Sequence, residues 1–388
     1  MTGRAAASGG AFAAALRPVR RPFDAIEPAV WDALVAASPW ATPFSRWALH
    51  RAWWDAYGDN AHEETVVLVP VDAADDAPPV AIAPLMHRHE VEPRDVELRT
   101  SLRHAEGQPL TPVPADAKAI FFGASYHADY ATLLAAPEHL AAAADAVAEY
   151  AALGDPEHPQ PWDAVDLRRL RTGDPAVDAL AAAFGAREVQ HDWTLNIERE
   201  DVCPVAALPV GGTIDDYLGA LGKKERHEIR RKVRRAEAAG DVALLDSANP
   251  LADLPAFIDL HQKRWGADGL FPETPGGDQS RRFFYRLFEL FGADGPLHLA
   301  FLTVGDKRIA ACVSFETDDA VLYYNAGVDP EARDLSPGVV MVERLVRRAI
   351  DRGAGRMDFL RGNEPYKYEW GAVDDPIQRL LVRRTDRR

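Results

Sequence analysis

Residues 297–327 carry the pattern that most restricts the fold of this chain. The segment divides into three apolar runs, LHLAFLTV, RIAACVSFE and AVLYYNAG, which are separated by the polar triplets GDK and TDD. Short apolar runs separated by residues that favour tight turns are typical of an antiparallel meander. We therefore expect three neighbouring antiparallel strands here.

The segments on either side extend this pattern into a longer order of elements. VALLD reads as a strand, DLPAFIDLHQKRWG and SRRFFYRLFELFG as helices, SPGVVMVERLVRRAIDRG as an amphipathic helix, and RMDFLRG as a last strand. The second half thus reads β-α-α-β-β-β-α-β. The first half has a similar order, which indicates a duplicated unit. We predict an α/β fold with mixed sheets, in α+β style, and two tandem domains with a cleft between them.

Length and composition set the class of protein. At 388 residues the chain exceeds the usual size of one domain. We expect a disordered tail over residues 1–22, an N-terminal domain over 23–205 and a C-terminal domain over 206–388 that begins with a basic helix over 213–239. A formal net charge of -16 disfavours DNA and anionic membranes as general partners.

The cysteines and the hydropathy of the sequence further restrict the kind of protein and its expected location. Cys203 and Cys312 are the two cysteines of the sequence and form no disulfide framework, and no His or Cys pairs stand at metal-ligand spacing. No apolar run approaches the roughly 18 residues that span a membrane. The Ala- and Gly-rich start of the chain is a poor signal peptide. We expect no metal, no membrane anchor and a cytoplasmic protein.

Several segments, taken in order along the chain, resemble a known family. They are TPFSRWALHRAWWDAYG, SYHADYATLL, WDAVDLRRL, FIDLHQKRW, LAFLTVGDKRIAACVSF, YYNAGVDPEARDLSPG and AIDRGAGRMDFLRGNEPYKYEWGA. With the element order, they resemble the GNAT-fold acyltransferases of the CelD-like, FemAB-related branch, in which two GNAT-like domains often stand in tandem. The resemblance covers most of the chain.

The resemblance implies acyl transfer. The donor would be acyl-CoA, such as acetyl-CoA, and the acceptor an amine or hydroxyl of a sugar, polysaccharide or cell-envelope precursor. Fem-type relatives instead take an aminoacyl group from tRNA and add it to a cell-wall peptide precursor. A non-catalytic scaffold in a polysaccharide-synthesis complex is a third alternative.

The loop EARDLSPGVV is the expected site for the CoA pyrophosphate, because it precedes a helix whose first amides are free. Arg333 offers charge, Ser336 a hydroxyl, and Gly338 a bare backbone. Gly338 alone matches a glycine of the family's pyrophosphate signature. The alternative is an ordinary helix start, with Ser336 as the N-cap and Pro337 in the first turn.

The pantetheine arm of CoA is held, in the family, where two parallel strands part. LYYNAGVDP and RMDFLRG match these strands. Tyr324 or Asn325 would then face the acyl group, and Gly327 would tolerate a β-bulge. The alternative is that Tyr323 and Tyr324 are packing residues, of which period-two alternation turns one to the core.

The densest polar cluster is LRGNEPYKYEWGA, in which Arg361, Glu364, Tyr366 and Lys367 fall within seven positions. It resembles the Phe-Lys-x-x-Phe-Gly stretch of Fem-type ligases. The resemblance suggests Glu364 as a general base, Lys367 or Arg361 as a binder of the oxyanion or a phosphate, and Tyr366 as a proton donor to the leaving thiolate. The alternative is a structural ion pair that locks the loop.

Other candidates would bind the acceptor. They are His261, Arg264 and Trp265 at the end of one helix, Asp129 in SYHADY, and Arg226 and Arg230 on the basic helix. The SYHADY segment, which also contains His127 and Tyr130, either faces the cleft between the domains or caps the next helix. In the basic helix, Ile229, Val233 and Ala236 share an apolar face opposite the cations. Its cationic face can bind an anionic donor (CoA or tRNA), bind an anionic acceptor, or pair with acidic neighbours.

Overall fold

The computed structural model describes residues 15–88, 110–113, 117–124, 126–154 and 162–385. The strands are β1 Leu16–Arg20, β2 His62–Pro70, β3 Ala81–Arg88, β4 Ala119–Phe122, β5 Leu134–Ala135, β6 Ala164–Arg171, β7 Trp193–Ala207, β8 Val242–Asp246, β9 Leu297–Val304, β10 Lys307–Glu316, β11 Ala320–Val328, β12 Arg356–Asp358 and β13 Val373–Arg384. The helices are α1 Pro28–Ala37, α2 Trp47–Tyr57, α3 Leu140–Leu153, α4 Pro175–Gly185, α5 Glu188–His191, α6 Ile214–Ala220, α7 Lys223–Ala239, α8 Pro250–Trp265, α9 Pro275–Phe291, α10 Pro337–Asp351 and α11 Pro365–Glu369.

The strands form one mixed sheet. Its order is β1-β2-β3-β4-β6-β13-β7-β12-β11-β10-β9-β8, with β5 paired to β3. The β4/β6 and β11/β12 pairs are parallel and the other neighbours are antiparallel. The predicted meander is β9-β10-β11. The predicted α/β class with a mixed sheet is confirmed.

The sheet order repeats about its centre. From either edge, four antiparallel strands lead to a parallel pair, first β1-β2-β3-β4-β6 and then β8-β9-β10-β11-β12. The helices follow the same rule: α1 and α2 precede β2 as α8 and α9 precede β9, and α3 precedes β6 as α10 precedes β12. The N-terminal half, β1 to β6, and the C-terminal half, β8 to β12, are therefore two copies of one topology.

Two strands are exchanged at the centre of the sheet. The strand β13, which follows the C-terminal half in sequence, inserts between β6 and β7 and pairs with both. The strand β7, which follows the N-terminal half, pairs with β12 through Val205, Ala206 and Ala207. The hydrogen bonding thus runs unbroken between the halves, and the domain boundary at residues 205/206 stays a prediction.

The strand β13 was missing from the sequence-based order, which took RMDFLRG as the last strand. Pro376 and several charged side chains interrupt the apolar pattern of this segment, so it lacks a clear strand signal. Ile377, Leu380 and Leu381 are nevertheless fully buried. Pairing on both sides therefore outweighs the weak local pattern.

The expectation of a disordered tail over 1–22 is wrong for residues 16–20. These residues form the edge strand β1, antiparallel to β2. Pro18 is tolerated there because an edge strand leaves one row of backbone groups unpaired. Arg20 anchors the strand through Glu64, 3.3 Å away.

The predicted basic helix over 213–239 is two helices, because the chain breaks at Leu221 and Gly222 between α6 and α7. Thr213 caps α6 as expected, and its side chain accepts a hydrogen bond from the Asp216 amide. The apolar stripe of α7, made by Ile229, Val233 and Ala236, is buried as predicted. In the described part of the chain, no helix combines the length and the apolar character that a membrane span requires.

Candidate functional site

A cavity opens where β11 and β12 part. The two strands pair in parallel only over 320–322 and 356–358. Beyond Asp358 the chain turns away through Leu360, whose φ of 55° lies in the left-handed region that residues with a Cβ seldom adopt. The strand β11 continues to Val328 along β10 alone. The resulting gap is a cavity of about 690 Å³ that reaches both faces of the sheet.

A β-bulge shapes the β11 side of the cavity. Val313 pairs with Asn325 and Ser314 with Tyr323, so Tyr324 is the extra residue. Both tyrosines line the cavity. Tyr323 packs with the apolar cluster under α10, and Tyr324 with the cluster under α8 and α9. Alternation along the strand predicts that one of the two tyrosines points to the core. In the structure, each tyrosine instead packs in an apolar cluster, on a different face of the sheet.

The bulge expected at Gly327 is wrong, since it lies at Tyr324. Gly327 is needed for another reason. The backbone of β11 passes so close to α8 that a methyl group on Gly327 would overlap the backbone of Leu260 and His261. This close approach fixes the end of α8 against the cavity wall.

The cavity gathers most of the residues singled out in the sequence. Those that line it are Asp129, His261, Arg264, Trp265, Tyr324, Asn325, Gly338, Arg361, Glu364, Tyr366 and Lys367. Those that do not line it are Arg226, Arg230, Gly327, Arg333 and Ser336. The candidates therefore meet from α8, β11, α10, the segment around α11 and the loop after β4.

Lys367 holds the loop that borders the cavity. Its Nζ donates to the carbonyl oxygens of Leu360, Arg361 and Gly362, each at 2.9 Å. It also lies 2.9 Å from Glu364 Oε2, and the residue is 2% exposed. An ammonium has three hydrogens, so none remains for an oxyanion or a phosphate. The geometry therefore favours the structural alternative for Lys367.

Asp129 and Arg361 form an ion pair across the two halves. Arg361 Nε lies 3.2 Å from Asp129 Oδ1, and the Arg361 side chain is 10% exposed. Arg361 Nη1 is buried and has no hydrogen-bond partner in the part of the chain that the structure describes. Arg361, which lines the cavity, is therefore charge-paired but keeps a hydrogen-bond donor at Nη1 that no described residue uses.

A second carboxyl, Asp358, lies behind this ion pair. It accepts hydrogen bonds from the Tyr130 hydroxyl and the Leu360 amide, both at 2.8 Å. Burial raises the pKa of Asp358 to about 6, although both hydrogen bonds act in the opposite sense. These contacts hold Leu360 in its left-handed conformation, and so set the path of the loop into the cavity.

A buried polar chain reaches the cavity from the opposite side. The Tyr57 hydroxyl lies 2.7 Å from His127 Nε2 and 3.1 Å from Ser280 Oγ. The Tyr324 hydroxyl donates to the His127 carbonyl at 3.0 Å and lies 3.3 Å from Nδ1. The imidazole stacks on Phe283 at 4.1 Å.

Burial, reinforced by Arg361, lowers the pKa of His127 to about 3, so the ring is uncharged at neutral pH. Burial also raises the pKa of Tyr324 well above its usual value. These hydrogen-bonded residues therefore present the neutral hydroxyl of Tyr324 to the cavity, and His127 of the N-terminal half holds it in place.

The start of α10 offers few backbone donors. Pro337 has no amide hydrogen, and the amides of Val339 and Val340 bond to the Ser336 carbonyl. Gly338 borders the cavity, and nothing lies nearer than 4.0 Å to where its side chain would begin. Ser336 is the N-cap, but its hydroxyl accepts from Arg235 Nη2 at 2.7 Å instead of capping the helix.

Two cations of α7 named as acceptor ligands are engaged elsewhere. Arg226 donates to the Gly219 carbonyl at 2.9 Å, and Arg230 pairs with Asp215 at 2.7 Å. Arg333 is exposed and does not line the cavity. Arg230 thus pairs with an acidic neighbour, which was one of the three alternatives for the basic helix. No residue of α7 lines the cavity.

Several lining residues were not singled out in the sequence. They are Tyr126, Asp268, Leu270, Ala326, Val328, Val339, Val342, Phe359, Leu360, Pro365, Glu369 and Trp370. Most are apolar and look like ordinary core residues until the strands are known to part. His127 and Tyr323 were noted in the sequence but not assigned to a site. Among the described residues, no group of three or more His, Cys, Asp or Glu side chains is arranged to hold a metal.

Comparison with known proteins agrees with this geometry. Residues 223–368 match the family model described as "Acetyltransferase (GNAT) domain". The matched segment runs from the start of α7 into α11, so it contains both strands that part and the helix start at the cavity. No curated protein matches the chain.

Solved structures share the fold over most of the chain. FemX is 12% identical, with 91% of this chain and 96% of that chain covered and a TM-score of 0.58. A conserved protein of unknown function from Bacteroides thetaiotaomicron VPI-5482 is 13% identical, with 92% and 98% covered and a TM-score of 0.53. A tandem GNAT protein from the clavulanic acid biosynthesis pathway is 12% identical, with 95% and 98% covered and a TM-score of 0.46. At such identities the likeness concerns the fold alone.

Proposed function

We propose that this protein is a CelD-like acyltransferase. It would move an acyl group from acyl-CoA to an amine or hydroxyl of a sugar, polysaccharide or cell-envelope precursor. The observation that carries the proposal is the gap between β11 and β12, which lies inside the segment that matches the GNAT acetyltransferase model.

The gap suits the extended arm of CoA. Beyond Leu322, no strand in the described part of the chain pairs with the β11 edge that faces β12. Unpaired backbone groups on a strand edge accept an extended amide chain as they would another strand. The arm would run along Tyr323–Ala326 and bring the thioester to the bulge at Tyr324.

The phosphates of CoA would then reach the start of α10. Gly338 leaves room for close approach, and its amide is the one backbone donor there that has no intrahelical use. Arg235 and Arg333 would supply the positive charge that the small number of amides does not. Residues on both sides of the gap thus fit a CoA thioester, with a phosphate site that depends on side-chain cations.

The acceptor would enter from the α8 side. Its nitrogen or oxygen would attack the thioester carbonyl carbon, so that the new C–N or C–O bond forms as the C–S bond breaks. We assign Glu364 as the base that receives the proton of the nucleophile and Tyr366 as the donor to the leaving thiolate, since both line the cavity. Lys367 acts as a positioning residue that fixes the loop between them.

Thermal unfolding with CoA and acetyl-CoA tests the proposal. A ligand at about 100 times its dissociation constant stabilises the folded protein by about 2.7 kcal/mol. The wild type should show this shift, and Gly338→Trp should lose it because the indole would block the helix start. Gly219→Trp is the matched control, since Gly219 is an exposed helical glycine with open space around it.

A Fem-type, tRNA-dependent aminoacyl transfer is the second candidate. The observation that favours it is the outer face of α7, where Lys223, Lys224 and Arg234 are exposed and form no ion pair with the described residues. Filter binding of aminoacyl-tRNA to the wild type and to a Lys223→Glu/Lys224→Glu variant separates the two. Loss of binding in the variant, with no CoA shift in the wild type, would replace acyl-CoA by tRNA as donor. Binding of neither donor would point to a scaffold.

A further inference from the structure

His261 lies on the acceptor side of the cavity in a fixed position. Its backbone abuts Gly327 of β11 without room for a methyl group between them. Its ring packs against the rings of both Phe257 and Phe271, with centroid distances of 5.9 and 5.0 Å, and the residue is 4% exposed. The imidazole therefore has little freedom to turn.

The amide of Gln262 determines which nitrogen of His261 carries the proton. Gln262 Nε2 donates to the Gly266 carbonyl at 3.2 Å, and Oε1 accepts from the Phe271 amide at 3.0 Å. These two contacts distinguish the two ends of the amide. His261 Nδ1 lies 3.3 Å from the same Oε1. An amide oxygen accepts and does not donate, so Nδ1 must carry the hydrogen.

The other nitrogen, Nε2, is consequently a hydrogen-bond acceptor. It has no hydrogen-bond partner among the described residues, and the side chain lines the cavity. Burial lowers the pKa of His261 to about 4, with Gln262 acting against it, so the ring is uncharged at neutral pH. The wall of the cavity thus contains the unshared electron pair of His261 Nε2, surrounded by aromatic side chains.

The other histidine of the cavity differs on this point. His127 has hydroxyl partners near both nitrogens, Tyr57 at Nε2 and Tyr324 at Nδ1. Its ring is thereby committed to contacts within the protein. His261 is the one of the two that leaves a nitrogen for a ligand.

We propose that Nε2 of His261 accepts a hydrogen bond from one N–H of the acceptor's uncharged amine and so orients the nitrogen lone pair toward the acyl carbon. The inference rests on the proposed function, because it requires an acyl acceptor in the cavity. It assigns the acceptor's nucleophile as an uncharged primary amine at the moment of attack, because a hydroxyl has one hydrogen and cannot both donate it to Nε2 and release it to Glu364. As the C–N bond forms and the C–S bond breaks, the second hydrogen of the amine leaves as the proton that Glu364 receives, and His261 stays neutral throughout.

Variants at His261 test the orienting role. Acyl transfer from acetyl-CoA to glucosamine would be followed by thiol release in the wild type, His261→Gln and His261→Ala. A glutamine amide oxygen can accept at a similar reach but cannot take up a proton. We expect kcat to fall about tenfold in His261→Ala, the worth of one hydrogen bond near 1.4 kcal/mol, and at most about threefold in His261→Gln. The KM for acetyl-CoA should stay unchanged in both, and the exposed His227→Ala on α7 should behave as the wild type.

Two results would overturn the inference. Wild-type turnover in His261→Ala would remove the role, and equal loss in His261→Gln and His261→Ala would mean proton transfer instead of orientation. Nitrogen-15 NMR of the free protein provides a readout that needs no substrate. It should show the Nδ1–H tautomer at neutral pH, and an Nε2–H tautomer would contradict the inference even if glucosamine is not used. Failure of the proposed function would appear separately, as a missing acetyl-CoA shift in thermal unfolding.

Discussion

Two parallel strand pairs occupy equivalent places in the two halves of the sheet, and they differ in what fills the space where each pair parts. β4 and β6 pair over two residues and β11 and β12 over three before each pair parts. In the N-terminal half the amide of Ala131 returns to bond the Arg169 carbonyl at 2.9 Å, and about 10 Å³ remains near the end of β4. In the C-terminal half about 690 Å³ remains. The same topology therefore yields a closed half and an open half, depending on what fills the gap.

The segment that closes the first gap also builds the second. The loop after β4 reaches the open half with Tyr126, His127 and Asp129, which line its cavity, before Ala131 rejoins β6. The loop after β4 thus both closes the gap in the N-terminal half and lines the cavity in the C-terminal half. The comparison explains why a site within the GNAT-matched segment still needs residues outside it.

A repeated aspartate shows the same contrast in charge. Asp166 of AVDLRRL and Asp358 of RMDFLRG occupy corresponding positions after the parallel pairing begins. Arg379 holds Asp166 with two hydrogen bonds of 2.7 and 2.8 Å. Asp358 accepts from a tyrosine and an amide instead.

The pKa values of the two carboxyls diverge accordingly. Burial alone would raise the pKa of Asp166, but Arg168 and Arg379 outweigh it and the pKa is lowered. At Asp358 burial outweighs the two hydrogen bonds and the charge of Arg356, and the pKa is raised. In the closed half, two arginines favour the charged form of Asp166. In the open half, burial disfavours the charged form of Asp358, which precedes the loop that borders the cavity.

Removal of the charge in the closed half gives the largest expected effect. Asp166→Asn should lower the free energy of unfolding at pH 7 by about 4 kcal/mol, because it removes the buried carboxylate that pairs with both Arg168 and Arg379 and leaves Glu198, 3.2 Å from Arg379 Nη1, as the remaining acidic partner of Arg379. A lowered pKa means that the stabilisation is present above the unfolded-state pKa and is lost as the pH falls through the folded-state value. Urea denaturation checks this, with the exposed pair of Asp145 and Arg187 as control through Asp145→Asn. A loss no larger than the control's would end the claim that the closed half depends on this ion pair.

The corresponding change in the open half should have the opposite pH dependence. The pKa of Asp358 is raised from 3.8 to about 6, so its stabilisation is complete below the unfolded-state value and is lost as the pH rises through 6. The stability of the wild type minus that of Asp358→Asn should therefore fall by about 3 kcal/mol between pH 3 and pH 8. Denaturation of both proteins at a series of pH values measures it. A difference that grows with pH would show that the two aspartates do not differ as described.

A methyl group added near each opening gives the smallest of these effects. Gly327→Ala should cost about 2 kcal/mol, because the new carbon overlaps backbone atoms of α8 that cannot turn aside. Gly123→Ala in the closed half should cost about 1 kcal/mol or less, since its nearest neighbour is a His50 ring atom at 3.2 Å. Thermal unfolding of both variants compares the halves directly. Equal costs would mean that the α8 contact is no tighter than the packing of the closed half.

The order of elements could be predicted because it depends on local patterns. The turns GDK and TDD, the cap at Thr213 and the apolar stripe of α7 each stand in the sequence and in the structure. The clustering of Arg361, Glu364 and Tyr366 around one cavity followed from their closeness in sequence. The repeat of VDLRR in MDFLR was visible as well, and it could have indicated that Asp358 has a counterpart in Asp166.

Long-range pairing could not be predicted in the same way. Nothing within residues 373–384 shows that this segment inserts between two strands of the other half. The position of the bulge depends on the register of β10 against β11, and that register is set by the whole sheet. The role of Lys367 depends on a loop that folds back onto its own ammonium group, which neighbouring residue types alone do not reveal.

The exchange of β7 and β13 has a consequence for how the chain can be made. β6 and β7 do not pair with each other, because β13 occupies the space between them. During synthesis, one edge of β6 and one edge of β7 therefore lack their final partner until residues 373–384 have been made. The closed half, although its strands come first in the sequence, is therefore completed by a strand that follows all those of the open half.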